Sequence, residues 1–153
     1  GEVVADIYSN VLSVQDFAFN SFKMLEHYNS PLWFIENNDW GGSTINTVER
    51  LGYKNLGYEN EKKLKVGWNT NRNREEVWGE LIPAVNNKQI RIYNELGLKS
   101  FYDIIRVSEK NGRIEARSGT HDDYEMALAI AWFNRGEVGV TTQVKIKSYE
   151  YKE

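Results

Sequence analysis

The sequence predicts an α/β fold in which an open sheet is flanked by helices. Short apolar or β-branched runs of strand length alternate with segments of helical periodicity. Helix-capping residues and glycines separate these segments, and Asn111-Gly112 joins two strand-like runs as a hairpin turn. The chain of 153 residues is long enough for one domain with a substantial core, so we interpret residues 1–153 as a single domain.

The composition excludes several classes of protein. No apolar run approaches the roughly 20 residues that a membrane-spanning helix needs. The absence of cysteine excludes a disulfide framework and a thiolate zinc site, and with no signal-peptide pattern at the start we expect a cytoplasmic protein. The net charge of -3 disfavours nucleic-acid binding by charge alone, although metal ions can supply positive field in a nuclease.

The first half of the chain is predicted to alternate strand and helix. Ser13 and Asp16 have the spacing of a capping box, and Gly52 is placed to end a helix. The predicted elements are a strand at 2–9, a helix from about 13 to 28, a strand at 32–35 buried on both faces, and a helix over about 45–51.

The second half of the chain is predicted to contain short strands and two longer helices. Asn73 is expected to cap one of these helices and Pro83 to limit its length. The predicted elements are strands at 55–59, 64–68 and 89–93, a helical turn at 98–102, a hairpin of 104–107 with 113–117, a helix over about 122–133, and an edge strand or loose arm at 139–153.

A carboxylate follows the buried strand directly. In open α/β sheets ligands bind beyond the carboxyl ends of the strands, so Glu36 stands where a metal ion would bind, with Asn37 beside it. On its own, this feature is more often a strand-end acid that faces solvent.

A second acidic group opens the last predicted helix. His121, Asp122 and Asp123 precede an alanine-rich run, and acids in a first helical turn often serve only the helix dipole. Hard divalent ions bind several carboxylate oxygens from separate elements, which Glu36 with Asp122 or Asp123 would supply.

Four segments, taken together, resemble the nuclease domain of the large terminase subunits of tailed phages and prophages. They are IENNDWGG, LGYKNLGY, GWNTN and RIEARSGTHDDYEMALAIAW, and the resemblance covers about Val3 to Trp132. It implies a ribonuclease H-like mixed sheet flanked by helices, two Mg²⁺ or Mn²⁺ ions, and endonucleolytic cutting of concatemeric double-stranded DNA. It also implies three partners besides DNA, namely the ATPase domain of the same parent protein, the portal and the small terminase subunit, in the host cytoplasm.

The resemblance also assigns site residues by position. Glu36 resembles the family's second acidic ligand and Asp122 the ligand at the start of the last helix, with Asp123 as a further ligand or supporting group. His121 and Asn37 are candidates for orienting a carboxylate or a water. The family's first Asp has no counterpart, since Asp6 lies in the wrong element, so we interpret the chain as an N-terminally incomplete fragment of a larger protein.

The predicted DNA contact is the basic hairpin that leads into the acidic pair. Its cations are expected to bind phosphates without reading sequence, although an ordinary exposed hairpin would look the same. Two other functions stay open: a non-catalytic DNA-clamping or motor-docking module, and another ribonuclease H-like nuclease such as a junction resolvase. The chain contains no Walker-type glycine loop, so the ATPase would lie outside it. The cations of the hairpin are Arg106, Lys110, Arg113 and Arg117.

Overall fold

A computed structural model describes residues 1–59, 65–108 and 112–137 and combines helices with short strands. A 3-10 turn at Phe101–Asp103 follows the helix Glu95–Ser100, and another at Asn134–Gly136 follows the helix Asp123–Phe133. No helix within these ranges is long and apolar enough to cross a membrane. The elements are α1 (Val14–His27), α2 (Asp39–Arg50), α3 (Thr70–Asn86), α4 (Glu95–Ser100), β1 (Ile104–Val107), β2 (Arg113–Ala116) and α5 (Asp123–Phe133).

Residues 32–37, here called the central segment, pair with the chain at isolated positions instead of forming a long ladder. Trp33 pairs in parallel with Leu56, and Glu36 pairs in parallel with Trp68. A further antiparallel bridge joins Tyr58 to Val66. The bridging residues lie within the predicted strands at 32–35, 55–59 and 64–68, except Glu36, which directly follows the first of them. Two of the bridges are parallel and one is antiparallel.

Helices pack on both faces of the central segment. Successive side chains of a strand point to opposite faces, which accounts for the continuous apolar run. Ile35 and Trp33 contact the α1 and α2 side, whereas Phe34 contacts the α3 and α5 side. The buried residues on the first side are Ala18, Ile35, Ile45, Val48, Tyr53 and Leu56; those on the second are Trp68, Val77, Trp78, Leu81, Met126, Ala129 and Ile130.

Local signals fix the start of α1 and both ends of α2, although α2 begins at Asp39, ahead of the predicted start near residue 45. Ser13 caps α1, since its Oγ accepts from the N–H of Asp16 at 3.1 Å and donates to the Asp16 carboxylate at 2.7 Å. Asn38 caps α2 by accepting from the N–H of Gly41 at 2.8 Å. Gly52 follows α2 with a φ of +91°, a left-handed conformation that favours glycine. The capping box and the helix stop are therefore confirmed.

The predicted ends of α3 are wrong. The helix begins at Thr70 with Asn69 at the N-cap position, so Asn73 lies inside it, and it continues through Pro83 to Asn86. Proline inside a helix removes one backbone donor and its ring clashes with the carbonyl four residues earlier, which costs about 3 kcal/mol. Burial of the residues around it extends the helix, because tertiary packing overrides local preference. The completely buried side chains of α3 are Val77, Trp78 and Leu81.

The predicted strands at 2–9 and 89–93 meet at a single bridge. Glu2 pairs in parallel with Arg91; the N–H of Val3 donates to the carbonyl of Arg91 at 2.9 Å, and the Arg91 N–H donates to the carbonyl of Gly1 at 3.0 Å. Beyond this bridge neither predicted strand forms, so the predictions of continuous strands at 2–9 and 89–93 are wrong. The hairpin is confirmed as β1 and β2, in antiparallel register. The predicted DNA contact Lys110, the predicted turn residue Asn111 and the predicted edge strand or arm at 139–153 lie outside the described residues.

We predict that Gly41→Ala destabilises the protein and that Gly42→Ala, its neighbour in α2, does not. A Cβ on Gly41 would lie 1.6 Å from the carbonyl oxygen of Glu36, whereas a Cβ on Gly42 meets no atom within 4 Å. We expect a loss of about 3 kcal/mol for the first variant, as in overpacking. The second should gain up to about 1 kcal/mol from helix propensity. Urea unfolding followed by tryptophan fluorescence measures both, and equal stabilities would contradict the contact of α2 with Glu36.

Candidate functional site

A cavity of about 350 Å³ lies between the central segment and α5. Two of the three predicted acidic ligands, Glu36 and Asp123, belong to its lining, although they are far apart along the chain. The wall formed by the central segment contains Leu32, Trp33, Phe34 and Glu36; the wall formed by α5 and the following turn contains Asp123, Ala127, Ile130, Ala131, Asn134 and Arg135.

Helices α3 and α5 contact each other beside the cavity. Arg74, near the start of α3, contacts Asp122, and further along the same two helices Glu80 contacts Arg135 at 2.8 Å. Trp68 pairs with Glu36 and immediately precedes the N-cap of α3. Its ring packs against Phe133, the last residue of α5, with ring centroids 5.4 Å apart.

The backbone around Glu36 is held by hydrogen bonds to the neighbouring residues Val66 and Trp68. The N–H of Trp68 donates to the carbonyl of Ile35 at 2.7 Å, and the N–H of Asn37 donates to the carbonyl of Trp68 at 2.6 Å. The Asn37 side chain, half-buried, donates from Nδ2 to the carbonyl of Val66 at 3.2 Å. Asn37 thus holds the neighbouring strand in place, which positions Glu36 indirectly.

Asp122 is held outside this cavity by an arginine. Nη2 of Arg74 donates to Oδ2 of Asp122, and Nε of Arg74 donates to the carbonyl of Ile114 in β2 at 3.1 Å. Both charged side chains are largely buried. Sequence reasoning missed Arg74, because nothing near it along the chain indicates a partner 48 residues away.

The described residues offer a partial ligand set for a cation. Across residues 1–59, 65–108 and 112–137, no three His, Cys, Asp or Glu side chains are grouped to hold a metal ion. Glu36 and Asp123 could hold one together, since hard divalent ions take carboxylate ligands and Mg²⁺ keeps several waters. His121, which precedes Asp122 and Asp123 along the chain, is exposed. Asp6 is engaged elsewhere, accepting from Asn94 Nδ2 at 3.0 Å and from the hydroxyl of Tyr124.

A second groove, of about 270 Å³, lies between α3 and the hairpin and is lined by three arginines. Arg106 donates from Nη1 to the carbonyl of Gly112 at 2.8 Å, which orients its guanidinium along the turn. Arg113 lies 3.8 Å from the carboxylate of Glu115, on the edge of the groove. Of the predicted DNA contacts, Arg106 and Arg113 line this groove with Arg74; Arg117 is exposed, and Lys110 lies outside the described residues.

Glu125 is a buried acid that sequence reasoning also missed. Its side chain is completely buried in α5, and within the described part of the chain neither carboxylate oxygen has a hydrogen-bond partner. Burial raises the pKa of Glu125, and the charges of Asp122 and Asp123 raise it further. The hydroxyl of Ser100 lowers it only partly, because that hydroxyl donates to the carbonyl of Gly97 at 2.9 Å.

The pKa of Tyr124, the neighbour of Glu125 in α5, is also raised. Burial raises the pKa of Tyr124 to about 12, and the carboxylate of Asp6, which accepts its hydroxyl at 3.2 Å, adds to the effect. Gly97 packs against the Tyr124 ring so closely that a Cβ there would lie 2.2 Å from it. The first turn of α5 is therefore anchored on one side while Asp123, next along the chain, stays exposed.

No model of a known protein family matches this chain, and no curated protein matches it. Geometry therefore carries the functional interpretation, together with the motif resemblance. The geometry offers one cavity with two carboxylates and one groove with three arginines. Arg74 lines the groove and bonds to β2, and it also contacts Asp122, the neighbour along the chain of the cavity-lining Asp123.

We predict that Glu125→Gln removes a pH-dependent loss of stability. The folded protein favours the protonated form of Glu125. The contribution of this preference to the free energy of unfolding is fully present below the ordinary pKa of 4.5 and is lost as pH rises through the raised pKa of the folded protein. At pH 7 the variant should be more stable by roughly 1–3 kcal/mol, the cost of an unpaired buried group. Unfolding of both proteins from pH 4 to pH 8 gives the difference, and a constant difference would disprove the assignment.

Proposed function

We propose that this chain is a metal-dependent endonuclease domain of ribonuclease H-like fold, from the large subunit of a viral DNA-packaging terminase. The observation that carries the proposal is the shared cavity of Glu36 and Asp123. These two acids come from the end of a central strand-like segment and from the start of the last described helix. Both positions correspond to acidic positions in the segments that resemble the family.

The layered arrangement supports the fold assignment. The central segment makes parallel pairings with residues 56 and 68 and has helices on both faces. In such open arrangements ligands bind beyond the carboxyl ends of the strands, where Glu36 lies. Because the described residues of this segment pair only at isolated positions, we propose the ribonuclease H-like strand order together with the function.

Glu36 and Asp123 would hold Mg²⁺ or Mn²⁺ in the cavity. A divalent ion bound there would lower the pKa of an attacking water and stabilise the leaving oxygen of the phosphodiester. Asp122 would join the site only by exchanging its contact with Arg74. Two carboxylates are few ligands for the two ions expected of the complete domain, so we expect weak metal binding.

The arginine-lined groove supports a role in DNA binding. Guanidinium groups bind phosphate oxygens by paired hydrogen bonds, and phosphate contacts position a duplex without reading its sequence. Arg106 and Arg113 would contact the backbone of double-stranded DNA, and Arg74 links their groove to Asp122. The ATPase domain of the parent protein, the portal and the small terminase subunit are proposed as partners from the resemblance alone.

We predict that the chain binds Mn²⁺ weakly through Glu36 and Asp123 and nicks supercoiled plasmid poorly. Water proton relaxation measures the binding of Mn²⁺ directly. Glu36→Gln and Asp123→Asn should each weaken it on the order of tenfold, because each removes a charged oxygen ligand. Glu49→Gln is the matched control, since Glu49 is an exposed carboxylate near the other end of α2 and should leave the affinity unchanged.

Three outcomes of this experiment separate the functions. Unchanged Mn²⁺ affinity in Glu36→Gln would remove the metal site and the nuclease proposal with it. Robust plasmid nicking that Glu36→Ala abolishes would show a complete ligand set, so the interpretation as an incomplete fragment would be wrong. DNA binding that persists without any effect of Mn²⁺ would favour the non-catalytic clamping module.

A further inference from the structure

Arg74 is bonded to two acceptors from different parts of the chain and also borders a groove. Its Nε donates to the carbonyl of Ile114 in β2 at 3.1 Å, and its Nη2 donates to Oδ2 of Asp122. A guanidinium has more N–H donors than these two bonds use, and Arg74 lines the groove between α3 and the hairpin. The guanidinium that holds Asp122 is therefore also available to a ligand in the groove.

Asp122 occupies the N-cap position of α5, but its carboxylate is used for the ion pair. Aspartate is among the best N-cap residues, because its carboxylate accepts from the first N–H groups of a helix. Within the described helix α5 the side chain of Asp122 makes no such bond. The carboxylate could therefore turn to the N–H groups at the start of α5 if it left Arg74. The side chains that do cap their helices are Ser13 for α1, Asn38 for α2 and Asn94 for α4.

The ion pair is accessible to an anion from solution. The side chains of Arg74 and Asp122 are 16% and 20% exposed, so a ligand can reach them without unfolding of the domain. The guanidinium has one positive charge and compensates one anion. If a phosphate and Asp122 bound Arg74 together, one negative charge would stay uncompensated in a largely buried position, which is costly. A phosphate at Arg74 therefore favours the departure of Asp122.

The charges along the groove favour a phosphate as the competing anion. The guanidinium groups of Arg106 and Arg113 belong to its lining beside Arg74, and the carboxylate of Glu75 is the acid among the lining residues. Guanidinium groups bind phosphate oxygens by paired, charge-assisted hydrogen bonds. A DNA strand in the groove would compete with Asp122 for Arg74, whereas a neutral ligand would not.

We propose that a phosphate of bound DNA displaces Asp122 from Arg74. In the free protein Asp122 occupies part of the phosphate site, and it weakens DNA binding for that reason. The released carboxylate is next along the chain to Asp123, which lines the cavity, and is then available as a further ligand for a hard divalent cation. The exchange itself requires no metal, and only its consequence for a cation rests on the proposed function.

We expect Asp122→Asn to tighten the binding of double-stranded DNA in the presence of EDTA. The variant removes the competing carboxylate, so the affinity should rise on the order of tenfold. Fluorescence anisotropy of a labelled duplex measures the affinity. Glu76→Gln is the matched control, because it makes the same change in net charge at an exposed position of α3 outside the lining of the groove. Its effect should be less than about twofold, since exposed charges are screened by salt.

Two further variants keep this measurement decisive. Asp122→Ser removes the carboxylate and retains a strong N-cap residue, which covers the case in which Asp122→Asn disturbs the start of α5. Neither substitution should tighten binding in an Arg74→Gln background, where no guanidinium is left to release. Equal affinities of the original chain, Asp122→Asn and Asp122→Ser would overturn the proposal. An equal gain with and without Arg74 would overturn it too, since charge alone would then explain the effect.

The consequence for a cation is tested without DNA. Arg74→Gln frees Asp122, so Mn²⁺ binding measured by water proton relaxation should tighten on the order of tenfold. Arg50→Gln removes the same charge at the exposed end of α2 and should leave Mn²⁺ binding unchanged. A gain that persists when Asp122→Asn is added to Arg74→Gln would overturn the role of Asp122 as a ligand. Unchanged Mn²⁺ affinity in Glu36→Gln would instead remove the proposed function, while the exchange measured in EDTA would stand.

Discussion

The pairing of Trp68 with both neighbours of Glu36 is the interaction on which the candidate site depends. Two short backbone bonds, to Ile35 and from Asn37, fix the end of the central segment, and Gly41 packs against the carbonyl of Glu36 from the other side. Because α3 begins directly after Trp68, the same pairing sets where α3 starts, and α3 in turn positions α5 through contacts at both ends. The carboxylates of Glu36 and Asp123 share a cavity as a consequence.

The acidic residues at the start of α5 have three different environments. Asp122 pairs with Arg74, Asp123 is exposed on the cavity, and Glu125 is buried without a hydrogen-bond partner among the residues that the structure describes. Burial of an isolated charge is costly, so Glu125 favours its protonated form, while Asp123 faces the cavity. Arg74 connects this turn to the hairpin through its contacts with Asp122 and with the carbonyl of Ile114.

Elements with local signals could be predicted from the sequence, and contacts between distant elements could not. The capping box at Ser13 and the stop at Gly52 each act within a few residues, and both predictions agree with the structure. The apolar run at 32–35 packs on both sides as predicted, but it forms isolated bridges instead of a continuous strand. The extension of α3 through Pro83, the contact of Arg74 with Asp122 and the burial of Glu125 depend on tertiary packing. The motif resemblance identified the two acids on the cavity, but it gave no indication that Asp122 would have an arginine partner.

In the proposed site Glu36 and Asp123 bind one cation. Anomalous diffraction from crystals of this chain soaked in Mn²⁺ would locate that cation, because the manganese signal requires no assumptions about the ligands. We expect an anomalous peak in the cavity, within ligand distance of both carboxylates. Manganese bound only elsewhere, or a Glu36 carboxylate on the opposite side of the molecule from Asp123, would rule out the shared site.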